Sequence, residues 1–237
     1  IFSEKCAPIQ INYLGYPGTS GSKFIDYIVA DKTLIPKKYQ KYYSEKIIYL
    51  PDTYQVRDSK QKISTKIIKK ENFNLPKNNF IFCCFNQNYK ITPSIFNIWM
   101  RLLKKINKSV LWLLEDNPTA SINLKKEAEN KGINSERIIF AKRIPQSEHL
   151  ARHKIADLFI DTFPYNAHTT CSDALWSGLP VITLAGESFA SRVGASILKA
   201  IDLKELITTS EKDYENLILK LATNQKMLKK IKNKKII

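Results

Sequence analysis

From residue 80 onward the chain alternates short, continuously apolar runs with stretches whose apolar residues return at helical spacing. The runs "NFIFCCFN" (79–86), "SVLWLLE" (109–115), "RIIFAKRI" (137–144), "DLFIDTFP" (157–164) and "PVITLAG" (180–186) predict strands. Between them, "TPSIFNIWMRLLKKI" (92–106) predicts a helix with Thr92 as N-cap and Pro93 in the first turn, where the missing N–H costs nothing. "SINLKKEAENKG" (121–132) and "HTTCSDALWSG" (168–178) predict helices ended by Gly132 and Gly178. "SEHLARHKIA" (147–156) and "SFASRVGASILKAI" (188–201) predict two more, and one or two basic helices close the chain. Strands that are apolar along their whole length and separated by helices imply a parallel sheet covered on both faces. The expected fold class is α/β, a Rossmann-like, doubly wound parallel sheet. Such sheets take ligands at the carboxyl ends of their strands, beside helix N-termini.

Residues before 80 do not make a complete unit of this kind. "IQINYLG" (9–15), "FIDYIVAD" (24–31) and "EKIIYLPD" (45–52) read as three strands with little helix between them. The stretch "QVRDSKQKISTKIIKKENFNLPKNN" (55–79) is polar, Lys-rich and weakly patterned, and reads as a linker. The expected division is residues 1–54, a linker over 55–79 and the Rossmann-like domain over 80–237. The loop "INYLGYPGTSG" (11–21) holds three of the chain's seven glycines directly after the first strand. No Gly-Lys-Ser/Thr follows it, so it is not a phosphate-binding P-loop. Its plain reading is a tight strand exit with glycines at positive φ. There are no internal repeats.

At 237 residues and 43% hydrophobic, the chain can bury a real core. A formal charge of +16 invites a nucleic-acid reading, but lysine is spread along the whole sequence. Only "KMLKKIKNKKII" (226–237) is a dense run, expected to be a solvated helix face, and no RNP-like, KH-like or zinc-finger pattern supports nucleic-acid binding. Cys6, Cys83, Cys84 and Cys171 show no CxxC spacing and read as reduced, mostly buried thiols. No signal peptide is expected and no apolar run in this sequence is long enough to span a bilayer, so a cytoplasmic protein without a membrane span is the expectation.

Polar residues gather at the predicted strand ends. "NQNYK" places Gln87, Tyr89 and Lys90 before the Thr92 helix, "RIPQSEHLARH" places His149 and Arg152 near a helix start, and "YNAHTTCSD" places His168, Thr169, Thr170 and Asp173 at the next. All three histidines (His149, His153, His168) fall in this one span. Thr170 and Asp173 fit a capping box, [ST]xx[DE], and a helix start with free N–H groups is also an anion site, so both readings stand. Lysine, glutamine, histidine and threonine from separate loops facing one helix N-terminus make a diphosphate cradle. The histidines lack the ligand spacing of a metal site, no Asp-x-Asp motif occurs, and no G-x-S-x-G elbow supports a serine hydrolase.

The segments "LGYPGTSG", "DYIVAD", "YSEKIIYLPDTYQ", "FNQNYKITPSIFNIWMRLLKKINKSVLWLL", "RIIFAKRIPQSEHLAR" and "ADLFIDTFPYNAHTTCSDALWSGLPVITLAGESFASRVGASIL" resemble the catalytic region of protein O-linked N-acetylglucosamine transferases, in the SPINDLY-like branch. Cytosolic bacterial N-glycosyltransferases are more distant cousins. The resemblance runs over nearly the whole chain and is weakest over 55–80. It implies a GT-B fold, in which two Rossmann-like domains face each other across a cleft, and a UDP-sugar donor, most simply UDP-GlcNAc, used without a metal or other cofactor. Residues 1–54 would end the first, acceptor-side domain, and 80–237 would be the UDP-sugar-binding domain.

The resemblance also implies roles. Gln87 and Lys90 would hold the diphosphate, with Lys90 as the catalytic cation and Tyr89 close to the sugar. The main chain around Ile144, with His149 and Arg152, would hold the uridine, while His168, Thr169 and Thr170 hold the phosphates and Asp173 the ribose. The loop at Leu14-Gly15 would contact the donor sugar, its glycine admitting the backbone to close range. The expected partners are the UDP-sugar, a protein acceptor, the remainder of the first catalytic domain and a tetratricopeptide array, the chain being read as a fragment of a longer protein. One departure concerns the site itself, since Gln146 stands where the family often has a lysine near the ribose. Transfer to asparagine side chains or to a non-protein glycan, and a nucleotide-sugar-binding module without turnover, are the competing readings.

Overall fold

The computed structural model describes residues 4–234. Two parallel sheets follow one another along the chain. The first has β1 (Ile11–Asn12), β2 (Tyr27–Ala30) and β3 (Lys46–Tyr49) in the order β1-β2-β3. The second has β4 (Phe80–Cys84), β5 (Ser109–Leu114), β6 (Ile138–Ala141), β7 (Leu158–Ile160), β8 (Val181–Leu184) and β9 (Ile207–Thr208). Its spatial order is β6-β5-β4-β7-β8-β9, with every pairing parallel. That is the doubly wound 3-2-1-4-5-6 arrangement, whose strand order reverses between β4 and β7. Every residue of β4, β5, β7 and β8 is buried, which is why these strands read as unbroken apolar runs.

The helices are α1 (Pro93–Lys105), α2 (Pro118–Asn130), α3 (Gln146–Arg152), α4 (Thr169–Trp176), α5 (Val193–Ala200), α6 (Glu211–Thr223) and α7 (Gln225–Lys232). Thr92 caps α1 as expected: its hydroxyl accepts from the Ile95 N–H and donates to the Phe163 carbonyl, 3.0 Å away, so one side chain starts the helix and ties it to the loop after β7. The apolar stripe Ile95, Phe96, Ile98, Trp99, Leu102 and Leu103 is buried. Across it Trp99 Nε1 donates to the Tyr214 hydroxyl of α6 (3.3 Å), which donates to the Asp161 carbonyl (2.7 Å).

Several expectations shift. The helix expected over 121–132 begins at Pro118 because Asn117 caps it, accepting from the N–H groups of Thr119 and Ala120, and it does end before Gly132 at φ +72°. The helix expected over 147–156 stops at Arg152 and tightens into a 3-10 turn over His153–Ile155. The helix expected over 188–201 starts only at Val193, because Ser188, Ser191 and Arg192 bond among themselves in the preceding loop. The short strand β9 carries no sequence signal and pairs with β8. The closing helices are α6 and α7. α7 buries Leu228 and Ile231 and exposes Lys226, Lys229 and Lys230, while Lys232 is half-buried, its Nζ donating to the Ala156 carbonyl at 3.4 Å and pairing with Asp157; residues 235–237 of the basic run lie outside the described residues. Cys83, Cys84 and Cys171 are buried and Cys6 is exposed.

The first sheet packs on the loop before α5. Asp31, fully buried, accepts from the N–H groups of Thr33, Leu34 and Tyr54 and from the Ser196 hydroxyl of α5 at 2.6 Å. Tyr54 sets its ring edge-on to Phe189 at 5.1 Å. The 55–79 stretch has no strand and a single 3-10 turn, yet it is not slack. Leu75 is buried, Phe73 packs 5.3 Å from the Trp112 ring, and the Ser64 N–H donates to the Ser147 carbonyl.

Candidate functional site

A cavity of about 580 Å³ opens where the second sheet reverses, between the carboxyl ends of β4 and β7. Gln87, Tyr89, Lys90, Ile144, His149, Arg152, His168, Thr169, Thr170 and Asp173 all line it. Three separate segments, those that follow β4, β6 and β7, bring them there. Phe85, Asn86, Leu114, Arg143, Gln146 and Tyr165 complete the wall.

At one end, Lys90 Nζ donates to the Asn166 carbonyl (3.0 Å) and sits 3.8 Å from the centre of the Tyr165 ring. Burial lowers the pKa of its ammonium, with the nearby Asp161 carboxylate pulling the other way. Asp161 lies fully buried beneath, held by the N–H groups of Thr162 and Ala167, by Thr183 Oγ1 and by Asn86 Nδ2, and burial pushes it up to about 6. Beside Lys90, α4 begins at Thr169 without a side-chain cap, and among the described residues the amides of Thr169 and Thr170 meet no acceptor. The Thr170 hydroxyl donates to Asn86 Oδ1, and Asp173 faces Arg57 and Gln146. The capping box expected from the spacing therefore does not form, and two first-turn N–H groups stay open.

At the other end, α3 presents His149. Arg152 NH2 donates to His149 Nδ1, which fixes that nitrogen as the acceptor and leaves the proton on Nε2. Burial, with His153 and Arg152 nearby, holds His149 neutral down to about 2. Arg152 is itself buried, its NH1 donating to the Lys142 carbonyl and its guanidinium 4.4 Å from the Phe85 ring centre, so it steadies His149. His153 donates from Nδ1 to the His149 carbonyl and packs on Phe85; it is a structural histidine. His168, mostly buried beside Lys90, is lowered to about 4 by burial and then by that charge.

Leu14 and Gly15 are not brought into this cavity. Gly15 lines a separate one of about 940 Å³ with Asn12, Tyr13 and Tyr16. The loop folds on itself: Asn12 Nδ2 donates to the Tyr16 and Gly18 carbonyls, while Thr19 and Ser20 bond Glu45. Nor is Gly15 the left-handed residue. That conformation falls on Leu14, at φ +61°, and on Gly21, at φ +65°, and a Cβ at Gly15 would meet nothing within 4 Å. For leucine the conformation costs about 1–2 kcal/mol.

The sequence reading missed Arg57, whose NH1 reaches Asp173 Oδ1 at 2.6 Å from the stretch read as a linker. Asn86, adjacent to Gln87, and Tyr165, three residues before His168, also line the cavity without having stood out in the sequence. Among the described residues, no group of three or more His, Cys, Asp or Glu is placed to hold a metal ion, and no helix is long and apolar enough to cross a membrane.

Comparison with solved structures identifies the architecture. An O-GlcNAc transferase of Thermobaculum terrenum superposes with a TM-score of 0.84 at 27% identity, over 96% of this chain and 43% of that one. TarM of S. aureus matches at a TM-score of 0.56 and 10% identity, over 89% of this chain and 40% of that one, a likeness of fold alone. The fold is that of the GT-B glycosyltransferases. The model of glycosyl transferase family 41 matches residues 1–71 and 62–237, and the chain belongs to that family. An Arabidopsis thaliana protein named "Probable UDP-N-acetylglucosamine--peptide N-acetylglucosaminyltransferase SEC" is 40% identical over 234 residues, which is 96% of this chain and 24% of that protein. A Caenorhabditis elegans UDP-N-acetylglucosamine--peptide N-acetylglucosaminyltransferase is 26% identical, over 94% of this chain and 29% of its own length. The chain thus spans about a quarter of the length of these two relatives.

Proposed function

We propose that this chain is the donor-binding part of a glycosyltransferase that moves N-acetylglucosamine from UDP-GlcNAc to protein hydroxyls. The observation that carries the reading is the convergence of Lys90 and the open amides of Thr169 and Thr170 on one cavity at the reversal of the sheet. Transfer from UDP leaves extra negative charge on the departing diphosphate, and fixed cations and N–H dipoles are what stabilise it. Lys90 supplies the cation without a divalent metal. Its contact with Asn166 and the Tyr165 ring holds it in place before the donor arrives, so little reorganisation is needed as charge develops.

The remaining donor contacts are those the family resemblance implies, and their shared place on one cavity supports them. Thr169, Thr170, His168 and Gln87 surround the diphosphate, and the neutral His149, with its proton on Nε2, donates to a uracil carbonyl near the Ile144 main chain. Asp173 takes the ribose hydroxyls, and the exposed Tyr89 flanks the sugar. The names of the relatives support the donor and the peptide acceptor.

The test is transfer of radiolabelled GlcNAc from UDP-GlcNAc to a protein extract by the full-length protein. Label that alkaline β-elimination releases from protein supports O-linked transfer. Label that resists it, and that an asparagine-specific glycosidase removes, overturns the hydroxyl acceptor, and absence of both transfer and UDP binding overturns the donor reading.

A further inference from the structure

The geometry points to Arg57 as a positioning residue for the nucleoside end of the donor site, acting through Asp173 from the segment that joins the two sheets; this rests on the donor reading above. Asp173 is nearly buried, its side chain 7% exposed, and lines the cavity. Its Oδ1 accepts from Arg57 NH1 at 2.6 Å and its Oδ2 from Gln146 Nε2 at 3.2 Å. Gln146 is neutral. Among the described residues Arg57 is the one cation paired with Asp173, and a carboxylate so removed from water needs such a partner.

Arg57 is held as firmly as it holds. Its NH2 donates to Gln61 Oε1 at 2.7 Å, and its guanidinium lies 5.0 Å from the centre of the Trp176 ring on α4. Trp176 Nε1 donates to the Gln61 carbonyl at 3.2 Å, closing a ring of contacts between α4 and the joining segment. A guanidinium stacked and bonded at two nitrogens fixes the rotamer of the acid it faces. Each Asp173 oxygen has spent one acceptor position on protein and keeps another for a ligand hydroxyl. A vicinal diol, the 2′,3′ pair of a ribose, matches two such oxygens held in one plane. Arg57 therefore never touches the nucleotide, yet sets how well the diol is read.

The experiment compares binding of UDP and of 2′,3′-dideoxy-UDP to the full-length protein, as wild type, Arg57→Met and Arg57→Lys, with thermal melts to establish folding. Wild type is expected to prefer UDP. Arg57→Met is expected to lose UDP affinity by roughly 10- to 100-fold, the worth of a charge-assisted contact, and to bind the two nucleotides within about 2-fold of each other. Arg57→Lys is expected to restore part of the preference. Weaker UDP binding by Arg57→Met with the wild-type preference kept marks Arg57 as merely structural and overturns the proposal, as does unchanged affinity. If Arg57→Met does not fold, the Arg57→Lys pair decides, because an unaltered preference there together with full affinity also overturns it. A wild type that binds no UDP overturns the donor reading itself, an outcome distinct from all of these.

Discussion

The ammonium of Lys90 stands 3.8 Å from the centre of the Tyr165 ring while donating to the carbonyl of Asn166, the next residue along. A lysine from the loop after β4 is thereby fastened to the loop after β7, across the point where the sheet reverses. The ring face and the carbonyl orient the ammonium and leave its remaining hydrogens toward the cavity.

Replacing Lys90 by methionine keeps most of the side-chain volume and removes that charge. UDP affinity is expected to fall by about 1.5–3 kcal/mol, the usual worth of a charge-assisted hydrogen bond. Transfer by the full-length protein is expected to fall further, because the leaving diphosphate gains charge in the transition state. Calorimetry and initial rates measure the two; unchanged UDP affinity would remove Lys90 from the site.

Donor binding and transfer are expected to be insensitive to EDTA and to added magnesium or manganese. Lys90 and the first amides of α4 already supply the positive end of the site. Activity abolished by EDTA and restored by manganese would contradict this.

Acid should destabilise the protein in a defined window. His149, His153 and His168 are depressed to about 2, about 4 and about 4 from an ordinary 6.5, all chiefly by burial. The unfolded chain therefore binds these protons first, and the stability they confer is present above pH 6.5 and drains as pH falls toward 4. Asp161, raised to about 6 by burial, acts the other way, since the folded state takes up its proton first. Three groups against one leave stability falling by roughly 2–3 kcal/mol per pH unit between about pH 6 and 4. Chemical denaturation at stepped pH checks the slope; a flat profile across that window would refute it.

Gly194, in the first turn of α5, touches the buried network beneath Lys90. A Cβ there would lie 2.6 Å from Thr183 Oγ1 and 3.0 Å from Asp161 Oδ2. Gly194→Ala must push apart the 2.7 Å hydrogen bond between those two groups, and is expected to cost about 1–3 kcal/mol and to lower the melting temperature. A melting temperature equal to wild type would show that α5 can shift away freely.

Much of the second sheet was legible because its signals are local. The apolar runs of β4 and β5, the Thr92-Pro93 start of α1 and the glycines that end α2 and α4 each state their element within a few residues. The polar clusters at Lys90, His149 and His168 were legible for the same reason. In a doubly wound sheet, a residue just past a strand lies at the ligand end whatever the other strands do.

What depended on contacts far apart in sequence could not be read so. The [ST]xx[DE] spacing at Thr170 and Asp173 spells a capping box, but Asn86 and Arg57 take those side chains first, and neither competitor is near in the chain. The left-handed turn after β1 falls on Leu14, with three glycines available nearby, because Asn12, Thr19, Ser20 and Glu45 fix the path of the loop. Arg57 sits in a polar, weakly patterned stretch. The sequence by itself determined the strands β4 to β8, the start of α1 and the polar residues at the strand ends. The tertiary structure decided which of those residues remain free for a ligand, because a hydrogen-bonding group serves whichever partner folding brings within 3 Å, and sequence distance says nothing of that partner.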